Sequence, residues 1–421
     1  MFKPLCVVTA LVVAVVARRS PNAEYVEELT NGVLGTKFSS DVAEDASLDV
    51  PSLITKYGYP VEVHTLTTSD GYILEAHRIP YGRGQSGPSD KPPVLVMHGL
   101  LSSSADFVLM GPRNALAYKL ADAGYDVWLL NARGNYYSRN HISLTPDDRD
   151  FWRFSWDDIG NIDLPTYIGH VVLTTGQPKV HYIGHSQGGT SFLVLTSLRP
   201  EYNERILSFQ GLAPASFFTY NENSLFKTLA TYENILETTA FALGYAEIFG
   251  NKQFTTWFIE THCSDGSLFQ PLCSRIISEL FDNEYQNSTM IPVIIGHTPA
   301  GASIRQIAHY GQVIKFDQFR RYNYLLTAQN VLAYGRTTPP EYDLSKVIAP
   351  AYLHYALADN EVDYRDLLKL ASILPNVVQI HKVERDSFNH FDFLFSVDAP
   401  ELIYEPVIDA MKHAEEKFAS K

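Results

Sequence analysis

The sequence predicts an α/β fold with a mostly parallel central sheet, and three features carry that prediction. The chain opens on an antiparallel hairpin, short apolar runs then alternate with helical stretches, and this alternation stops near Pro214 and resumes near Val347. Glu62 to Thr68 and Tyr72 to Arg78 read as strands joined by the turn Ser69-Asp70-Gly71. Next come the run Val94 to Met97, a helix around Asn114 to Ala123 that Gly124 caps, and the run Tyr125 to Leu130. A helical stretch from about Asp157 to Thr174, a strand Val180 to Ile183, a helix beyond Gln187 and a strand around Ile206 to Leu212 follow. Strands separated by helices pair in parallel, and runs that are apolar throughout are buried on both faces, so helices are expected on both sides of the sheet. Ala351 to Tyr355 and Val377 to Val383 complete it, with a helix between them.

The stretch that interrupts the alternation, residues 215–345, is expected to be an inserted, mainly helical subdomain. Its first half is rich in large apolar side chains, including Phe217, Phe218, Phe226, Phe241, Phe249, Phe254, Trp257, Phe258 and Phe269. These suit either a private core or the lining of a pocket under a movable cover. The remaining divisions are residues 1–17, 18–214 and 346–421, the last two forming the two parts of one core.

Residues 1–17 carry Lys3 ahead of the apolar run Pro4 to Val16 and end on small residues before Arg18-Arg19, the pattern of a secretory signal peptide. That run is shorter than the roughly 20 residues a bilayer requires, and no later stretch reads as a membrane span. Removal of Lys3 takes the formal charge from −14 to −15, which argues against nucleic acid and against docking through a basic patch. Cys6 leaves with the leader, and Cys263 and Cys273 remain as an even pair in an oxidising compartment, where a bridge is expected over two buried free thiols. Asn287-Ser288-Thr289 is the single Asn-x-Ser/Thr acceptor, and its polar neighbours suit an exposed, glycosylated loop.

Gly184-His185-Ser186-Gln187-Gly188 follows a predicted strand and opens a helical run, Phe192 to Leu198. That is the setting of a nucleophile elbow, in which a sharp turn exposes the serine hydroxyl at the head of an α/β-hydrolase sheet. A serine hydroxyl needs a histidine base, and the histidine needs a carboxylate to hold its tautomer. Of the histidines after Ser186 and before the C-terminal helix, His262, His297 and His309 fall in the insertion, and His354 and His381 fall in strands. His390 alone lies in a loop past the last strand, so it is the expected base. The acid belongs just beyond Ala351 to Tyr355, where Asp359 is best placed among Asp359, Glu361, Asp363 and Asp366; Asp363 is the alternative, although Asp363 and Asp366 also suit the start of a helix. Oxyanion donors are expected from the N–H of Gln187 and, in the loop His98-Gly99-Leu100-Leu101, from that of Leu100. His98 is expected to pack or hydrogen-bond rather than to catalyse. No metal-ligand spacing, phosphate loop or dinucleotide fingerprint is present, so no metal or cofactor is expected.

Together these motifs resemble the acid lipase family, the group of gastric, lysosomal acid and insect digestive lipases. The resemblance runs through Gly58-Tyr59-Pro60-Val61-Glu62, Asp70-Gly71-Tyr72-Ile73-Leu74, Asn131-Ala132-Arg133-Gly134-Asn135, Phe154-Ser155-Trp156, Pro299-Ala300-Gly301 and Asn389-His390-Phe391-Asp392-Phe393, besides the two catalytic loops. It implies the triad Ser186, Asp359 and His390, the oxyanion positions Leu100 and Gln187, a Cys263–Cys273 disulfide in the lid region, and a cap and lid formed by the insertion. Two positions depart from the family pattern: Tyr355-Ala356-Leu357-Ala358 replaces a Gly/Asn-rich approach to the acid, and Gly189 stands where threonine is usual. The expected activity is hydrolysis of neutral-lipid esters, triacylglycerols or sterol esters, at a lipid–water interface by a secreted or lysosomal enzyme. The alternatives are an esterase for small soluble esters and a non-catalytic lipid carrier, which the complete set of catalytic residue types disfavours. Oligomeric state is not encoded legibly.

Overall fold

The chain enters its sheet through a hairpin: β1 (Glu62–Thr67) pairs antiparallel with β2 (Tyr72–Ile79), Glu62 opposite Arg78 and Thr67 opposite Ile73. Thr68 closes the turn between them. Its hydroxyl accepts from Tyr72 N at 2.8 Å and donates to Asp70 Oδ1 at 2.6 Å. The computed structural model describes residues 39–85, 87, 92–242, 246–250, 285 and 287–418. The leader, Cys263, Cys273, His262 and the aromatics Phe254, Trp257, Phe258 and Phe269 lie outside the described residues.

From β2 the sheet runs through β4 (Val127–Leu130), β3 (Val94–Met97), β6 (Val180–His185), β7 (Ile206–Leu212) and β10 (Ala351–Tyr355) to β11 (Val377–Lys382), with the short β5 (Asn140–His141) beside β2. The β2–β4 contact is antiparallel, and every pairing from β4 to β11 is parallel. Every residue of β3, β4, β6 and β7 is buried. Successive strand side chains point to opposite faces, so both faces of the sheet's centre are covered.

Three strand ends, those of β1, β2 and β11, differ from the sequence reading by one residue, and two differ by two residues, each for a local reason. The predicted strand Tyr125 to Leu130 starts at Val127, because Tyr125 N is taken by Leu120 O at 3.1 Å and closes helix α1 (Leu116–Asp122). The strand predicted to end at Ile183 continues to His185, because pairing with β7 persists through Gly184 opposite Gly211 and His185 opposite Leu212. That extension places Ser186 directly at the strand's end.

Behind the sheet, a helix beginning at Trp156 passes through a π-helical turn, Ile159–Asp163, into α2 (Leu164–Thr175). The turn presents fully buried Asp163 to Arg133, whose Nε and Nη2 donate to Oδ1 at 2.8 and 2.6 Å. Arg133 Nη1 reaches Asp70 Oδ2 at 2.6 Å and its guanidinium lies 4.1 Å from the ring centre of Tyr72. The hairpin turn, the loop after β4 and α2 are thus held by one arginine.

Between β7 and β10 the described residues form α4 (Ser224–Ala242), α5 (Ile291–His297), α6 (Ile304–Phe316), a further helix Thr327–Tyr334, and the two-stranded pair β8 (Glu247–Ile248) and β9 (Ala302–Ser303); α3 (Gln187–Leu198) precedes them. Glu233 and Glu237, one turn apart on α4, pair with Lys315 at 2.7 Å and Arg305 at 2.6 Å on α6. In the C-terminal part, α7 (Tyr364–Ile373) separates β10 from β11, and α8 (Asp392–Phe395) and α9 (Glu405–Phe418) follow.

Candidate active site

Ser186 sits between β6 and α3 with φ 51° and ψ −116°, a conformation a non-glycine residue adopts only when its surroundings enforce it. The enforcement is steric. A Cβ on Gly188 would lie 2.2 Å from Met97 O, and one on Gly184 would lie 2.6 Å from the Gly188 carbonyl carbon, so only glycine lets the strand end, the turn and β3 close on one another. Gly189 belongs to the same crowd, since a Cβ there would lie 2.4 Å from Pro214 Cβ. The departure from threonine therefore brings the first turn of α3 against the chain leaving β7. The Ser186 hydroxyl opens into a cavity and makes no hydrogen bond among the described residues.

His390 and Asp359 come from the loops after β11 and β10, and His390 Nδ1 lies 2.8 Å from Asp359 Oδ2. The other carboxylate oxygen accepts from Glu361 N at 2.9 Å and Val362 N at 2.7 Å, which fixes the carboxylate's orientation. Asp363 does not reach the histidine: it caps α7, accepting from Arg365 N at 2.8 Å and pairing with that guanidinium. Asp366 is not the simple dipole partner the sequence suggests, because it is buried and accepts from Thr219 N and Tyr220 N at 2.9 and 3.1 Å. Asn389 shapes the histidine loop, its Oδ1 accepting from Phe391 N at 2.9 Å and Asp392 N at 3.0 Å. Burial pulls the His390 pKa down, but the charge of Asp359 and its hydrogen bond outweigh that pull and hold it above the ordinary histidine value.

The other histidines have separate duties. His297 bonds Val293 O and Leu48 O, His309 stacks on Trp156 at 3.6 Å and bonds Arg320 O, His354 bonds Gln210, and His381 bonds Leu402 O. His98 accepts from Ala132 N at Nε2 (3.1 Å), so its proton is on Nδ1, 2.7 Å from Gly99 O. Burial depresses its pKa to about 4, and the neutral ring braces the loop that carries Leu100. A Cβ on Gly99 would lie 3.3 Å from Ser186 Cβ, so this loop runs directly beside the serine. Gln187 opens α3 from the other side, where first-turn N–H groups lack helical partners.

Four supporting residues were not singled out from the sequence. His185 Nε2 donates to His390 O at 3.1 Å, and burial, with the neighbouring His390, keeps its pKa well below the ordinary value. Asn221 donates to Asn360 O and Glu361 O at 3.2 and 2.8 Å, steadying the acid loop. Gln306 accepts from Gln187 Nε2 at 2.7 Å, and Tyr310 OH lies 3.0 Å from Thr190 Oγ1, so α6 is tied twice to the first turn of α3. His185 could have been found as part of the elbow motif; Asn221 and Gln306 have no local signal.

Ser186 and His390 open on a cavity of about 290 Å³. Its lining is mainly apolar and includes Phe218, Phe226, Leu229, Ile307, Leu394 and Phe395. Asn287 is exposed. Among the described residues no group of three or more His, Cys, Asp or Glu side chains could hold a metal ion, and no helix is long and apolar enough to cross a membrane.

Comparison with known proteins gives consistent matches. The profile of the "Partial alpha/beta-hydrolase lipase region" matches residues 50–111, and that of the "alpha/beta hydrolase fold" matches residues 92–244. The chain is 41% identical over 374 residues to Lipase 1 of Drosophila melanogaster, covering 88% of this chain and 81% of that protein. It is 38% identical to the gastric triacylglycerol lipase of Mus musculus and 33% identical to lipase member K of Homo sapiens, covering 87% and 89% of this chain and 92% and 94% of those proteins. Among solved structures, a bacterial membrane phospholipase A aligns with a TM-score of 0.50 at 16% identity over 92% of this chain and 97% of its own, a likeness of fold alone.

Proposed function

The chain belongs to the acid lipase family of α/β-hydrolases, and from that premise we propose that this lipase cleaves carboxylic esters of neutral lipids through an acyl-enzyme on Ser186. The observation that carries the reading is the apolar cavity of about 290 Å³ that opens on both Ser186 and His390. A polar or charged substrate would have to give up its hydration there, whereas an acyl chain gains about 0.8 kcal/mol for each methylene buried.

In the proposed cycle Ser186 Oγ attacks the ester carbonyl while His390 Nε2 takes its proton. Asp359 holds the proton on Nδ1 and stabilises the imidazolium. The N–H groups of Gln187 and Leu100 receive the oxyanion; one such donor is worth about 2.7–4 kcal/mol to the transition state. His390 then protonates the departing alcohol, and a water that it activates releases the fatty acid and restores the serine. The strained backbone at Ser186 supports the serine's assignment, since that strain is sustained by glycine contacts on three sides.

Residues 215–345 are proposed as the cap and lid over this cavity, braced by a Cys263–Cys273 bridge. Residues 1–17 are proposed as a secretory leader, and Asn287, exposed in the loop before α5, as a glycosylation site. Triacylglycerol is the favoured substrate, since relatives at 36–38% identity carry that substrate in their names. The test is a panel of triacylglycerols, sterol esters and short soluble esters, assayed with the glycosylated protein across pH, below and above substrate solubility. Rates that rise when the substrate aggregates are expected; rates indifferent to aggregation would reassign the protein as a soluble-ester esterase.

A further inference from the structure

One group in the cavity wall is not used by the reaction. Asp106, in the short turn Ser104–Phe107, is 3% exposed and lines the cavity together with Ser102, Thr298 and Leu394. Ser102 Oγ donates to its Oδ2, and Thr298 Oγ1 donates to its Oδ1 at 3.3 Å. Both partners are neutral, and among the described residues no lysine or arginine pairs with Asp106.

Among the described residues, the surroundings offer no hidden counter-charge. The turn packs against β4, α5 and α8. β4 carries no titratable residue; His297 of α5 spends both ring nitrogens on Val293 O and Leu48 O, and Asp392 of α8 is held by Arg385 at 2.5 Å. His77 of β2 bonds Ser104 Oγ at 2.9 Å, and Tyr404 OH donates to Phe393 O at 2.9 Å. In the cavity stand His185, His390 and Glu361, of which His390 already faces Asp359. Burial therefore dominates at Asp106 and lifts its pKa to about 7, the two hydroxyl bonds pulling it only part of the way back.

We propose that Asp106 is a specificity-determining residue of the ester pocket. As a neutral carboxylic acid it completes a wall along which a long acyl chain can lie, and as a carboxylate it turns that wall against the chain. The reason is desolvation. A methylene chain pressed on a carboxylate removes the water the charge needs, whereas a short acyl group covers little of the cavity wall and leaves the charge hydrated. Selectivity for long over short acyl chains therefore falls as pH rises. The inference rests on the reading that this cavity takes the acyl chain.

The experiment compares kcat/KM for p-nitrophenyl decanoate and p-nitrophenyl acetate, both below their solubility, across pH. Titration of His390 affects both substrates and cancels in the ratio. In the wild type the long-to-short ratio is expected to be flat in acid and to fall through a midpoint near pH 7, approaching tenfold per pH unit as a single ionisation requires. Asp106→Asn keeps the shape without the charge and should give a pH-independent ratio. Ser102→Ala removes a donor that favours the carboxylate and should move the midpoint to higher pH, which decides the matter should Asp106→Asn not fold. A flat ratio in the wild type, or an unchanged midpoint in either folded variant, overturns the proposal. Failure to hydrolyse the decanoate at any pH would instead overturn the lipid-pocket reading, and this inference with it.

Discussion

Asp359→Asn tests the proposed acid most sharply, because the surroundings dictate how the new amide must sit. Two backbone donors, Glu361 N at 2.9 Å and Val362 N at 2.7 Å, point at one side-chain oxygen. Turning the amide nitrogen toward them would strand both, at about 1–3 kcal/mol each, so the asparagine oxygen stays where Oδ1 is. The NH₂ group then occupies the place of Oδ2, 2.8 Å from His390 Nδ1. Two donors cannot face each other, so the imidazole is driven to the tautomer with its proton on Nε2. That nitrogen can no longer accept the serine proton. A tautomer reversal of this kind costs about 10⁴ in kcat, or about 5 kcal/mol, while the retained backbone bonds preserve the fold. The pH profile should shift too. His390 must be neutral to act, so activity falls as pH drops through its pKa; Asp359 raises that pKa, and its loss should move the acidic limb to lower pH. The assay is kcat/KM on a short soluble ester from pH 4 to 9, with thermal unfolding as the control. Asp363→Asn is the comparison: its cap bond to Arg365 N survives and only a partly exposed ion pair is lost, worth less than about 1 kcal/mol, so activity should stay within about twofold. An Asp359→Asn enzyme within tenfold of wild type, or a larger loss from Asp363→Asn, refutes the reasoning.

Ser186→Ala and His390→Ala should each abolish nearly all turnover, and the double variant should be no slower than either, as measured by active-site-titrated rates; a multiplicative loss would mean that the two do not act as a unit. Gly188→Ala drives a methyl to 2.2 Å from Met97 O, so a stability loss of about 1–3 kcal/mol and a larger fall in kcat are expected from chemical denaturation and ester assays; wild-type kcat would show that the elbow tolerates the shift. Arg133→Met leaves Asp163 buried and unpaired and should cost about 3–5 kcal/mol in denaturant unfolding, against little change if water replaces the guanidinium. Replacing Cys263 and Cys273, the proposed bridge, with serine should remove on the order of 3 kcal/mol or less of loop-closure stabilisation, yet reduce activity on aggregated lipid more than on a soluble ester. Equal losses on both substrates would make the bridge a plain staple.

Much of this architecture is written locally. Val94 to Met97, Ile206 to Leu212 and Ala351 to Tyr355 are mainly apolar runs of strand length, and each forms a strand with those bounds, the buried Ser208, Gln210 and His354 finding partners across the sheet. The serine is legible for the same reason: strand, turn glycines and helix are contiguous. Strand ends are less legible, since β6 runs on to His185 only because β7 offers partners opposite it. The acid shows where local reading thins out. Asp359 and Asp363 are four residues apart in similar sequence, and what separates them is which backbone N–H groups each accepts, two in the loop or one at a helix start.

Residues that support the site from afar leave no local trace, and their number says how the insertion relates to the core. Gln306 meets Gln187 across 119 positions, and Tyr310 meets Thr190 across 120. One turn apart on α6, these two side chains bind the first turn of the elbow helix, while α6 is itself joined to α4 through Arg305–Glu237 and Lys315–Glu233. Phe226 and Leu229 of α4 and Ile307 and Ile314 of α6 line the cavity, so the two paired helices supply part of its wall. That wall therefore cannot shift without pulling on the turn that positions Ser186 and the Gln187 amide. For these helices, widening the cavity and keeping the proposed oxyanion geometry are opposed, so movement that would admit the proposed lipid substrate is expected from elements other than α4 and α6.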